Sequence, residues 1–180
     1  MKTDNSHFEE KVLLRVESIK DIEKPVILEL YAGKSTLWEE VKKRTGKNIE
    51  ITRVEKIKNK CPFPHLQGDN LKFLVGMDIS KYNIIDMDAY GVPAELIEAL
   101  WMKSYYGVVV ITAIRSVMGR MPDIILAANG YTEPMIKKAP ILLSSNGLEK
   151  FLNFLYIKGI RNVSGFFFDR KYYITCKMEA

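Results

Sequence analysis

The stretch VILELYAGKSTLWEEV, residues 26–41, decides how the rest of the chain is read. The run VILEL, apolar except for Glu29, leads into Tyr31-Ala32-Gly33, and a segment of helical character follows. Read from its middle, Gly33-Lys34-Ser35-Thr36 looks like the end of a phosphate-binding P-loop. That motif needs a first glycine five positions before the second, so that the residues between can form a nest of amides around phosphate. Counting back from Gly33, the first glycine falls on Leu28, inside the apolar run. Glu29, Leu30, Tyr31 and Ala32 continue the strand, leave no flexible loop and set a carboxylate where phosphates would lie. The P-loop reading is rejected. A short apolar run flanked by turn signals, followed by one glycine and a helix, reads as a strand buried on both faces of a parallel sheet.

The pattern repeats along the chain. In HFEEKVLLRVESIK (7–20), Phe8, Val12, Leu13, Val16 and Ile19 fall at helical spacing and predict an amphipathic helix ahead of Pro25. STLWEEVKKRTG (35–46) reads as a helix stopped by Gly46. IEITRVE (49–55) is a β-branched strand, and CPFPHLQGDN (61–70) is a loop with a short strand at most. DNLKFLVG (69–76) opens a helix, YNIIDMD (82–88) is a second buried strand, and PAELIEALWMKSYY (93–106) is a helix with Pro93 at or near its first turn. GVVVITAI (107–114) is the strongest strand signal in the chain. Residues 122–140 read as irregular or short helical, and NGLEKFLNFLYIKG (146–159) as a helix. RNVSGFFFD (161–169) and KYYITCKM (171–178), separated by the Asp169-Arg170 turn, predict an antiparallel hairpin. Strands alternating with helices give an α/β fold: a Rossmann-like three-layer sandwich, mostly parallel, with an antiparallel C-terminal hairpin. One domain over 1–180 is expected, with an N-terminal helix in 1–22, a ligand-binding core in 26–118 and the closing hairpin in 160–178.

Composition excludes several classes. A chain of 180 residues, 47% hydrophobic and 27% charged, has ordinary globular values. No apolar run reaches the ~18–20 residues needed to span a bilayer, so no membrane association is expected. Cys61 and Cys176 are far apart and no secretory segment precedes them, which favours a cytoplasmic protein without disulfides. His7 and His65 form no ligand-like cluster with the cysteines, so no metal site is expected. The net charge of +5 is local: between Lys34 and Lys60 stand nine Lys or Arg against four Glu. Glu39 and Glu40 can pair with Lys43 and Arg44 along a helix, leaving Arg53, Lys56, Lys58 and Lys60 as a candidate phosphate-tracking surface. Tyr105, Tyr106 and Phe166 to Phe168 are expected in the core.

The residues that carry chemistry are acids at strand ends. In open parallel sheets, ligands sit beyond the carboxyl ends of the strands where strand order reverses. Glu29 ends the first strand and Glu55 the second, 22 residues past Gly33, a spacing suited to accepting from both hydroxyls of a ribose. Asp69 follows a possible third strand, where it can accept from an adenine amino group. Asp86 and Asp88 end a buried strand, where charges need a ligand or a partner.

At IIDMDAYGVPAELIEAL (84–100) the sequence resembles the class I S-adenosylmethionine-dependent methyltransferases, and within them the tRNA guanine dimethyltransferases, whose segment reads roughly D-x-D-P-[FY]-G-S-P before a helix. Asp86, Asp88, Tyr90, Gly91 and Pro93 match; Ala89 replaces a proline and Val92 a serine. LELYAGKS resembles the family's D-L-F-A-G-S-G, with Ser35 at its second glycine, and GVVVITAI resembles its strand after the catalytic loop. The resemblance covers about residues 26–118. It implies S-adenosylmethionine as cofactor, with Glu29 near the methionine amino group and Tyr31, Gly33 and Ser35 along the cofactor loop. Glu55 would hold the ribose, Asp69 and Asn70 border the adenine, and Asp86 complete the site. Asp88 would face the target amine and Tyr90 stack on a base. The expected activity is methylation of an RNA nucleobase amine in tRNA or rRNA. A separate substrate-binding domain like that of the tRNA enzymes is not expected after the hairpin, so a homo-oligomer, a partner protein or the basic segment would supply substrate recognition. The alternatives are a non-catalytic binding or regulatory subunit of the same fold, or a methyltransferase for protein or small molecules.

Overall fold

The computed structural model describes residues 7–115 and 119–179; the outer parts of the expected 1–22 and 26–118 segments, residues 1–6 and 116–118, lie outside the described residues. The first helix, α1 (Phe8–Ser18), precedes β1 (Val26–Leu30), α2 (Thr36–Thr45) and β2 (Glu50–Glu55). Next come β3 (Leu66–Gln67), α3 (Asn70–Gly76), β4 (Ile84–Asp88), α4 (Ala94–Met102) and β5 (Gly107–Ile114). Four helices follow, α5 (Asp123–Ala128), α6 (Glu133–Lys138), α7 (Pro140–Leu143) and α8 (Gly147–Ile157), and the hairpin β6 (Ile160–Phe167) and β7 (Lys171–Met178) closes the chain.

The strands form one seven-stranded sheet in the order β3-β2-β1-β4-β5-β7-β6. From β3 to β5 every pairing is parallel; β7 is antiparallel to both β5 and β6. The order reverses between β1 and β4, so the carboxyl ends of these two strands flank the natural ligand crevice. Alternation along each strand builds the two faces. Leu28, Leu30, Ile85, Met87, Val109 and Ile111 face the larger core under α3, α4, α5 and α8. Ile27, Ile84 and Val110 face a smaller core with Val12 of α1, Ile19 that caps it, and Trp38 and Val41 of α2. Glu29, Asp86 and Thr112 share that second face by the same period of two.

Local chemistry sets the element ends. Gly46, with φ 65°, closes α2 in the left-handed region open to glycine, its N–H donating to the Lys42 carbonyl at 2.9 Å. Asp69 caps α3, accepting from the Leu71 and Lys72 N–H groups. Pro93 is the N-cap of α4.

Three expectations are corrected. Leu13 is 51% exposed; the inward face of α1 instead carries Leu14, Lys11 and Arg15. Two cations thus replace part of the apolar stripe. Tyr106, in the connection before β5, and Phe167, the last residue of β6, are exposed rather than in the core, while Tyr105 is buried. Glu39 pairs with Arg53 at 2.6 Å and Lys42 at 3.6 Å rather than with Lys43, whereas Glu40 does hold Arg44 at 2.8 Å.

Candidate active site

The acids picked out in the sequence converge on the carboxyl edge of the sheet, as parallel register requires: Glu29 pairs with Asp86 across β1 and β4, and with Arg53 across β1 and β2. Their side chains are not free.

Asp86 is 1% exposed and accepts three bonds, two from the Arg15 guanidinium at 2.8 Å each and one from the Trp38 indole at 2.6 Å. Burial pushes its carboxyl above the usual range, and this outweighs the pull of Arg15. Asp88, one step closer to solvent, takes Lys11 Nζ at 2.7 Å and a bond from Thr112. Burial alone would raise Asp88, but Arg15 and Lys11 together hold it below the usual carboxylate range. Arg15 and Lys11 both come from α1, and the acid-by-acid reading of strand ends missed them. A signal was present: Phe8, Lys11, Arg15 and Ser18 recur at helical spacing, so both cations fall on the turns of the buried face.

Glu29 is 4% exposed and lies beneath the β1–α2 loop. The Ser35 hydroxyl donates to it at 2.5 Å, and Arg53 Nε donates to Ser35 at 2.7 Å while standing 3.4 Å from Glu29. Burial pushes the Glu29 carboxyl up to about 8, against the opposing bond from Ser35. Glu29 therefore braces the loop from below, bound by Ser35 beside Arg53, instead of facing the crevice. Ser35 adopts φ 52°, which turns its side chain into this network; the residue that replaces a glycine is 3% exposed.

This network makes a testable pH statement. An acid of ordinary pKa 4.5 when unfolded and about 8 when folded keeps its proton only in the native state between those values. Stability must then fall as pH rises through that window, by at most about 1.4 kcal/mol per unit. Glu29→Gln should flatten that slope: in urea denaturation the variant gains on the wild type between pH 5 and 8, with no gain below pH 4.5.

Glu55 holds the loop from the other side. Its carboxylate accepts from Gly33 N–H and Ile57 N–H, each at 2.8 Å, with Lys60 at 3.8 Å. A carboxylate offers about four acceptor positions, of which these two bonds take two; Glu55 itself is only 4% exposed. Gly33 has φ 57°, and an added Cβ would stand 3.6 Å from the Tyr31 carbonyl oxygen. Tyr31, also left-handed at φ 60°, donates its N–H to Asn70 Oδ1 at 3.1 Å. Burial and the nearby Asp69 and Glu95 push its phenol upward. Asp69 serves the α3 cap and stands 3.5 Å from Lys56. Tyr90 is 68% exposed beside Asp88. Of the expected crevice residues, Tyr31 and Tyr90 are exposed and Asp69 and Asp88 half-buried, whereas Gly33, Glu55 and Asn70 are buried; Glu29, Ser35 and Asp86 act through what they hold.

The expected cationic surface divides. Arg53 is buried, bound to Ser35 and Glu39, with its guanidinium 4.5 Å from the Phe63 ring centre; it is a structural cation and does not line the surface. Strand alternation explains this, since Arg53 points into the same face as Glu29. Lys56 and Lys58 are exposed and Lys60 half-buried. Among the described residues there is no cluster of His, Cys, Asp and Glu that could hold a metal ion, and no helix long and apolar enough to cross a membrane. Cys61 and Cys176 are free.

No family model matches the chain, and no curated protein matches its sequence. Solved structures do. A SAM-dependent methyltransferase from Archaeoglobus fulgidus aligns with 93% of this chain and 92% of its own, at TM-score 0.55 and 16% identity. The precorrin-6y C5,15-methyltransferase of Geobacter metallireducens aligns over 94% and 87%, at 0.55 and 13%. The plantazolicin methyltransferase BamL, in complex with a triazolic desmethylPZN analog and SAH, aligns over 96% and 84%, at 0.54 and 12%. The chain has the Rossmann-like fold of these methyltransferases, built on a mostly parallel seven-stranded sheet with an antiparallel C-terminal hairpin.

Proposed function

We propose that the protein is an S-adenosylmethionine-dependent methyltransferase whose acceptor is a nucleobase amine of RNA. The observation that carries this reading is the crevice at the β1/β4 switch point of a methyltransferase-type sheet, with Glu55 on one side and Asp88-Ala89-Tyr90-Gly91 on the other. In this reading the cofactor lies in that crevice. Glu55 retains acceptor capacity for the ribose, Asp69 and Asn70 border the adenine, and Gly33 opens the loop to close backbone approach. S-adenosylmethionine supplies an electrophilic methyl group. Asp88 then accepts a hydrogen bond from the acceptor's amine and orients its lone pair, which is the main requirement for such a transfer. Tyr90, exposed beside it, stacks on the base. The tRNA guanine dimethyltransferase-like D-x-D-x-Y-G-x-P segment and the basic 34–60 region support RNA as the acceptor class.

A second reading, a non-catalytic subunit of the same fold, is favoured by one observation: Lys11 already occupies Asp88. A homo-oligomer or a partner protein belongs to either reading as the source of further substrate contacts.

Thermal shift with S-adenosylmethionine, S-adenosylhomocysteine and Mg-ATP tests the cofactor. A ligand at a hundredfold excess over Kd stabilises by about 2.7 kcal/mol, a rise of several degrees for a domain of this size. Both adenosyl compounds should produce it. Stabilisation by Mg-ATP with neither of them active would refute the proposal. Transfer of labelled methyl into RNA separates the two readings.

A further inference from the structure

The crevice does not account for a second concavity, of about 630 Å³, on the α2 side of the β1–α2 loop. Its floor is apolar: Phe8 of α1 with Pro62 and Phe63 of the β2–β3 connection. Its rim carries Lys34, Lys43 and Lys60. Glu39 and Glu40 also line it, but each is committed to an arginine, Glu39 to Arg53 at 2.6 Å and Glu40 to Arg44 at 2.8 Å. Lys34 and Lys43 are exposed, and among the described residues neither has a carboxylate within 4.0 Å. Lys60 approaches Glu55 only at 3.8 Å. The Phe63 ring is held by the Arg53 guanidinium at 4.5 Å from its centre. The rim thus has cations to spare around an aromatic floor, in a volume within the ordinary range for small-ligand sites.

We infer that this concavity binds a nucleotide, its base against Phe63 and its phosphate between Lys34, Lys43 and Lys60. A lysine rim alone would accept any polyanion; the aromatic floor selects one that carries a flat ring. Stacking platforms beside lysines are how proteins hold single-stranded nucleic acid without reading its sequence. The same chemistry suits a free nucleotide. The site adjoins the cofactor crevice through Lys60, which stands 3.8 Å from Glu55, but does not depend on methyl transfer. It also gives a place to Lys34 and Thr36 of the P-loop-like GKST, which line it without forming a phosphate loop.

The test uses the full chain saturated with S-adenosylhomocysteine, which blocks adenosine-like binding in the crevice. The probe is fluorescein-labelled oligouridylate of ten residues, followed by anisotropy, with UTP and inorganic phosphate as competitors. Phe63→Ala should weaken binding about tenfold or more, and Lys43→Ala several-fold with a shallower salt dependence. Lys177→Ala, an exposed lysine on β7, should change neither. Displacement by UTP at concentrations where phosphate is inert identifies a free-nucleotide site; displacement by unlabelled strand alone identifies a nucleic-acid track, and both support the inference. Absence of oligouridylate binding, unchanged affinity in Phe63→Ala, or equal losses in Lys43→Ala and Lys177→Ala would overturn it. The methyltransferase reading is judged separately, by the thermal shift with adenosyl compounds.

Discussion

Arg15→Met should lower stability by about 3–5 kcal/mol, the usual consequence of removing one partner from a buried ion pair. Asp86 would keep Trp38 as its sole side-chain donor after losing two charge-assisted bonds at 2.8 Å. Its carboxyl, already raised by burial, would rise further and take a proton more readily. The deficit should therefore shrink as pH falls toward 5, which urea denaturation across pH reads directly. Arg15→Lys should recover only part of the loss, because an ammonium cannot fork across both carboxylate oxygens. A paired Arg15→Met, Asp86→Asn variant should be far more stable than Arg15→Met alone. If single and double variants lose the same amount, the ion pair is not what the residues contribute.

The second large effect concerns Asp88. Asp88→Asn keeps shape but weakens the acceptor presented to an amine, and its amide can point a donor at the incoming group. Methyl transfer into RNA should fall about a hundredfold or more, in the range found when a positioned proton acceptor is lost. Binding of S-adenosylhomocysteine, read by its stabilising effect, should persist. The substitution also leaves Lys11, with a side chain only 7% exposed, without its carboxylate. Some loss of stability is expected, and adding Lys11→Met should restore it without restoring transfer. Activity that returns with Lys11→Met would assign Asp88 to structure rather than to the acceptor.

The fold was legible because its signals are local. Short apolar runs flanked by turn signals, Gly46 at a helix end and the Asp169-Arg170 turn each name their element without help from the rest of the chain. The acids at strand ends were legible for the same reason, since parallel register brings successive carboxyl ends to one edge. What they bind was not. Whether Glu29 meets a ligand or Ser35 depends on the backbone angle at Ser35, and Arg53 reads as a surface cation until strand alternation turns it toward Glu29. The partners of Lys11 and Arg15 were hidden because they lie 77 and 71 residues away, although helical spacing marks both cations on the buried face. Leu13 was misplaced by the same cause: an apolar stripe drawn without cations turns the helix by part of a step.

The same separation bears on how the molecule is made. On a ribosome α1 emerges long before β4, so Lys11 and Arg15 must wait for the aspartates that neutralise them. The helix also leans on the last hairpin: His7 stacks on Phe168 at 3.8 Å between ring centres, and Tyr173 belongs to the α1–α2 core. It cannot dock fully until residues near 173 are available. The first helix of the described residues thus meets its last packing partners only when the closing hairpin has been made.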